Sequence, residues 1–258
     1  MKLRYPAEAF ALGIILFSAS MKEAFTAGIL VIFSAVFAEF LKNLLNETIP
    51  AWSVKLCVAI ATGTLCSSAF LIGFSYLGNE LSTEAWSITF LVGLLCSYHT
   101  LSDRVNAEYG ELLYESALVW GFWILLAIIR EFMGNGMIFG NLIMQTSFQS
   151  KTFLGSTFAF LTAGLALAFT NGILKKNCQK LNSLLVFIPV AILIRPFTIA
   201  SLTGIAEYIG FAWTILVPIA LFLSVKHVLR FSQPSKAYRG LPTDMLAAGF
   251  IYMILSIY

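Results

Sequence analysis

Leu56–Asn79 runs for 24 residues without a single charge. A helix needs roughly 20 apolar residues to cross the hydrocarbon of a bilayer. No other feature of this sequence limits its fold as strongly, and the stretch has companions. Ala85–Ser102, Thr152–Leu174 and Tyr208–Val225 are also free of charge. Ala24–Ala38 continues past Glu39 to Leu41, and Ser116–Ile129 reaches back to Leu112 if Glu115 is tolerated. Ala9–Met21, Leu181–Ile194 and Met245–Tyr258 are shorter. The spacing therefore predicts nine membrane helices, the first and seventh too short for an obvious complete crossing. Hydrophobic residues make up 59% of the chain and charged residues 11%, against about 25% charged in a soluble domain. That balance excludes an ordinary cytosolic enzyme, a disordered protein and a secreted disulfide scaffold. It leaves little room for a soluble domain. A net charge of +3, with the cations in a few loops, gives no basis for nucleic-acid binding.

Lysine and arginine in short loops set the expected orientation. Lys2 and Arg4 put the N-terminus inside. Nine crossings then place Lys42, Lys55, Arg104, Lys175, Lys176, Lys180, Lys226, Arg230, Lys236 and Arg239 inside, with only Lys22 and Lys151 outside. Dropping one span would scramble this ten-to-two bias. No small-residue cleavage pattern follows the first apolar run, so it reads as a retained short helix rather than a signal peptide. The expected orientation has the N-terminus inside and the C-terminus outside.

Two segments repeat. Lys151 precedes Gly155 by four residues, and Gly164 follows nine later; Lys236, Gly240 and Gly249 have the same spacing. Upstream of each lies a Gly-aromatic apolar run ending in charge, at Arg130-Glu131 and at Lys226-His227. The charge plan puts Lys151 and Lys236 on opposite sides, so the copies would be inverted, as in many transporter folds. The fold class that follows is all-α: a polytopic transmembrane helix bundle of about nine spans, with short half-helices and an inverted-repeat architecture.

Charges in or at the ends of apolar helices are costly and often functional. They are Glu39, Glu115, Arg130, Glu131, Arg195 and Glu207. Glu131 and Arg195 suit snorkelling at span ends as well as any function. Glu39 and Glu115 have apolar sequence on both sides and read as either an ion pathway or a structural ion pair. The cysteines, Cys57, Cys66, Cys96 and Cys178, form no CxxC pair. Cys57, Cys66 and Cys178 read as packing residues. His99 stands three residues after Cys96, on one helical face, and His227 reads as a solvated loop residue. Gly134-Asn-Gly136 and Gly140 read as a helix stop and a flexible loop. No Ser/His/Asp order or carboxylate pair supports catalysis by this chain alone.

The stretch Ile128-Ile-Arg-Glu-Phe-Met-Gly-Asn-Gly-Met-Ile-Phe-Gly140 resembles the most recognisable segment of RnfE and NqrD. These are integral membrane subunits of the Rnf complex and the sodium-translocating NADH:quinone reductase. Leu12-Gly13, Lys22 and Gly28, and the run Ile88–Cys96, resemble the same family, so the likeness covers about residues 8–175. Residues 204–258, with Pro234, Tyr238-Arg-Gly-Leu-Pro242 and Ala247-Ala-Gly249, resemble the end of the sister subunits RnfA and NqrE. The resemblance implies a six-helix unit at 1–175 and a three-helix inverted half-unit at 176–258. It implies a membrane subunit of an Rnf/Nqr-type ion-translocating electron-transport complex in a bacterial cytoplasmic (inner) membrane, working with sister membrane subunits in the lipid bilayer, its role electron passage, ion passage or a scaffold for either. It also implies a shared [2Fe–2S] cluster, for which Cys96 alone matches a cysteine ligand position; His99 could assist. Residues 1–56 hold no cysteine and Leu95 replaces the family's asparagine, so the ligand set is incomplete and a cofactor-free chain is the alternative. The other reading of function is a cofactor-free transporter or channel on the same fold.

Overall fold

The computed structural model describes residues 3–79, 81–102, 109–176, 181–195, 205–228 and 237–255. Cys178, Arg104, Lys180, Arg230 and Lys236, and the side chains of Glu207 and His227, lie outside the described residues. The helices are α1 (Ala7–Phe17), α2 (Met21–Leu45), α3 (Ala51–Tyr76), α4 (Thr83–Ser102), α5 (Tyr109–Asn135), α6 (Ser156–Leu174), α7 (Leu184–Leu193), α8 (Ile205–Val228) and α9 (Leu241–Leu255). Between α5 and α6 lie a two-stranded hairpin, β1 (Met137–Ile138) and β2 (Asn141–Leu142), and a 3-10 turn, Lys151–Leu154. The chain is an all-α bundle.

Four helices, α2, α3, α5 and α6, are each long and apolar enough to cross a membrane unaided. The outer surface agrees. Trp52, Leu56, Ile60 and Ile72 of α3 are 55–73% exposed, an outward apolar surface suited to lipid or to other membrane helices. Inside, α1 is surrounded by α2, α4, α6 and α7, and ten of its eleven residues are buried. A helix apolar on all sides belongs at the centre of a bundle.

α1 is short, but the chain around it runs the length of the bundle. Its 11 residues span about 16 Å. Residues 3–6 lead into it. The backbone N–H of Arg4 donates to Glu115 Oε2 at 2.8 Å, and that of Met21 donates to Glu131 Oε2 at 2.9 Å. Glu115 and Glu131 are 16 residues apart on α5, about 24 Å. The first apolar run thus reaches from one end of α5 to the other, helix and lead-in together. The two ends are called here the Glu115 end and the Glu131 end.

α6 and α9 form the repeat foreseen in the sequence, and they pack reciprocally. A Cβ on Gly164 would meet Leu246 Cγ at 2.7 Å and Pro242 O at 2.9 Å; one on Gly249 would meet Leu161 Cγ at 2.9 Å and Thr157 O at 3.1 Å. Gly164 and Gly249, Leu161 and Leu246, and Thr157 and Pro242 are all 85 residues apart. Each copy therefore touches the other as it is touched, which is the signature of two antiparallel helices about a local two-fold. Glycine permits the close approach on both sides.

The segment after α5 corrects one expectation. Gly136 and Gly140 do not mark a flexible loop. Phe139 and Gly140 both have positive φ (57° and 77°) and close a two-residue hairpin turn of the kind that favours glycine. The Gln149 side chain ties the returning strand, accepting from Thr146 N and donating to Met144 O.

Candidate functional site

Arg130 and Glu131 sit near the C-terminal end of α5. Neighbours on a helix point about 100° apart, so the two side chains serve different segments. Arg130 is 5% exposed. Its guanidinium donates to Phe153 O at 2.8 Å, to Leu154 O and Gly155 O at 2.7 Å each, and to Ser18 Oγ. Glu131, 3% exposed, accepts from Met21 N and from Gly140 N at 2.9 Å each. One residue gathers the carbonyls before α6, and the other satisfies the free N–H groups at the start of α2 and in the hairpin turn. These side chains are bonded inward rather than snorkelling to water.

Beside Arg130 opens a cavity of about 550 Å³. It lies at the Glu131 end, where α1 and α7 finish and α4 and α6 begin. Ile15, Leu16, Ile88 and Leu193 supply apolar lining, and Glu84 and Arg195 supply charge. Arg195 has a left-handed backbone (φ 47°), uncommon for a residue with a side chain.

At the other end, Glu115 is 3% exposed and Lys176 is 8% exposed. They form a buried ion pair, and Glu115 also holds the Arg4 N–H. The Arg4 side chain reaches Glu111 at 3.0 Å, and His99 Nε2–H donates to Arg4 O at 3.1 Å. Lys176, a loop cation by its place after α6, is also the partner of a buried carboxylate. Glu39, 3% exposed, has Lys42 Nζ at 3.6 Å, and Lys42 donates to Thr100 O at 3.0 Å. Glu39 and Glu115 therefore lie in two separate clusters, each with its own lysine.

Three features escaped the sequence reading. Glu8 is 4% exposed at the start of α1, where a helix N-terminus favours a carboxylate. Asn171 joins both lead-ins: it accepts from Tyr5 Oη at 3.0 Å and donates to Ala237 O at 3.4 Å. Lys226 pairs with Asp244 at 2.9 Å and donates to Ser183 Oγ. In the second copy of the repeat, the span-end cation holds the start of α9 much as Arg130 holds the start of α6. The Pro-x-acid spacing of Pro242 and Asp244, shared with Pro6 and Glu8, was the available signal.

Cys96 is fully buried, its Sγ 4.0 Å from Val31 O. The α3–α4 crossing beside it is tight: a Cβ on Gly93 would meet Cys66 Cβ at 2.7 Å. Cys57 faces outward. Among the described residues, no three His, Cys, Asp or Glu side chains come together as a metal site. Cys96 lies beneath α2 and α3 and close to Cys66, and among the described residues no third ligand stands with them. No family model matches this chain, and no curated protein or solved structure does.

Proposed function

We propose that this chain is a multi-pass membrane subunit of an Rnf/Nqr-type ion-translocating electron-transport complex, acting as scaffold or ion path without a cluster of its own. The observation that supports this is the Arg130–Glu131 junction. The stretch of sequence most like RnfE and NqrD is also the stretch that ties α1, α2, the hairpin and α6 to α5. A likeness carried by residues that build the fold speaks for shared architecture. In this reading residues 1–175 are the six-helix unit and residues 176–258 an inverted half-unit. Sister membrane subunits cover part of the apolar exterior. The N-terminus lies on the cytoplasmic side of a bacterial inner membrane.

The test is affinity purification of the full chain from its native membrane. The expected result is copurification of flavin- and iron–sulfur-bearing subunits, with iron content unchanged by Cys96→Ser. Purification as a lone chain that moves solute into liposomes would overturn it. That outcome would favour the second reading, a cofactor-free transporter, to which the open cavity beside Arg130 lends its weight.

A further inference from the structure

The cavity at the Glu131 end is lined by two exposed charged side chains, Arg195 and Glu84, that do not pair with each other. Among the described residues, the Glu84 carboxylate has no hydrogen-bond or ion-pair partner. Arg195 spends only its Nε–H, on Ile192 O at 3.3 Å, while its guanidinium lies 4.5 Å from the centre of the Phe211 ring. Both residues line the same 550 Å³ space. Stacking on a ring fixes the plane of a guanidinium and leaves its terminal N–H groups free for a planar anion. The left-handed backbone of Arg195 is a strained placement of the kind found at binding sites. The volume falls within the range of small-molecule sites, about 300–1,000 Å³. Arg130, also on the wall, spends four of its five N–H groups on three carbonyls and Ser18, so it contributes charge and a single remaining Nη1–H. Between the charges run the apolar side chains of Ile15, Leu16, Ile88 and Leu193.

We propose that this cavity binds a zwitterion with an apolar portion, its acidic group on Arg195, its ammonium on Glu84 and its carbon chain along the α1–α4 wall. With Arg130 and Arg195 against Glu84 the lining is net positive, so the acidic group is the stronger anchor and Glu84 selects for an ammonium beside it. Two sources offer this chemistry: the phosphoethanolamine headgroup of a membrane lipid, and a free amino acid with an apolar side chain. The inference stands apart from membership of any complex, since it concerns a site that this chain builds alone.

The test uses the full chain in two arms. One measures equilibrium binding of radiolabelled leucine to the protein in detergent. The other weighs the lipid retained, by native mass spectrometry, after extraction from nanodiscs of equal phosphatidylethanolamine and phosphatidylglycerol. The expected result is saturable binding of about one molecule per chain in one arm, which also names the source. Glu84→Gln and Arg195→Gln should each weaken it about tenfold, the usual cost of one charge-assisted contact. Leu16→Trp, which fills the wall and leaves both charges, should abolish it, and Lys55→Ala should leave it unchanged. Saturation in neither arm would overturn the proposal. So would a Glu84→Gln chain that binds as tightly as the wild type, or that selects phosphatidylglycerol to the same degree.

Discussion

Replacing Arg130 by glutamine should loosen the Glu131 end of the bundle by an amount the structure allows to be worked out. The guanidinium makes four hydrogen bonds, three of them to the successive carbonyls of Phe153, Leu154 and Gly155. Hydrogen bonds within membrane helix bundles are worth about 0.6 kcal/mol on average and up to about 1.7. Charge-assisted bonds to a buried group belong in the upper half of that range. Four of them give about 4–7 kcal/mol. The cavity next to Arg130 lets water reach some of the orphaned carbonyls, which argues for the lower end, about 4 kcal/mol. For a chain of this length that is a fall in midpoint of about 10 °C. Thermal unfolding in mild detergent, followed by tryptophan fluorescence, measures it. Limited proteolysis should show where it acts, with new cleavage in the segment from Met144 to Gly155. Arg130→Lys should lose about half as much, because one ammonium cannot fork to three carbonyls. A glutamine variant that melts within about 2 °C of the wild type, or a lysine variant with no loss, would refute the assignment of Arg130 as the clamp on the start of α6.

The remaining expectations need less space. Gly93→Ala should destabilise strongly, by about 2–3 kcal/mol, because its Cβ would meet the backbone Thr62 O at 2.6 Å and Gly63 Cα at 2.8 Å; Gly121→Ala, with nothing within 4 Å, should gain a few tenths of a kcal/mol in the same melt. Glu115→Gln should lower yield and melting point more than Lys55→Ala, since it leaves Lys176 buried and unpaired; the double variant Glu115→Gln/Lys176→Met should recover most of the loss. Reporter fusions after Lys176 should read cytoplasmic and fusions after Glu80 external; the reverse pattern would undo the orientation taken from the loop cations.

Hydropathy made the bundle legible because the constraint is local: a run of apolar residues either is long enough or is not. How far the first run reaches along the bundle was not legible. Its answer depends on Arg4 and Met21 meeting carboxylates 111 and 110 residues away, contacts that leave no periodic trace. The repeat was legible from glycine spacing, because close helix contact demands glycine on both faces at matching heights. The hairpin was missed for the opposite reason. Phe139 adopts positive φ without being glycine, so the two-residue turn carries only half of its usual mark. The pairing of Lys176 was not legible because charge bias counts lysines by position along the chain. It cannot see that the end of α6 turns a lysine back toward Glu115.

The paired residues at the end of α5 show why adjacent opposite charges can persist in a buried place where either alone would be costly. Arg130 is surrounded by backbone oxygen and Glu131 by backbone N–H. Each is solvated by one polarity of the main chain rather than by the other's side chain. The carbonyls come from the segment entering α6, and the N–H groups from the start of α2 and the hairpin turn. These are groups that helix ends and turns leave unsatisfied. An ion pair between Arg130 and Glu131 would strand both sets. Exchanging the two residues therefore would not conserve the site, although it conserves charge and composition: arginine would face donors and glutamate would face acceptors. The double exchange Arg130→Glu/Glu131→Arg should fold worse than either single neutral variant. Equal stability would mean that net charge at this end of the bundle matters and the direction of the backbone does not.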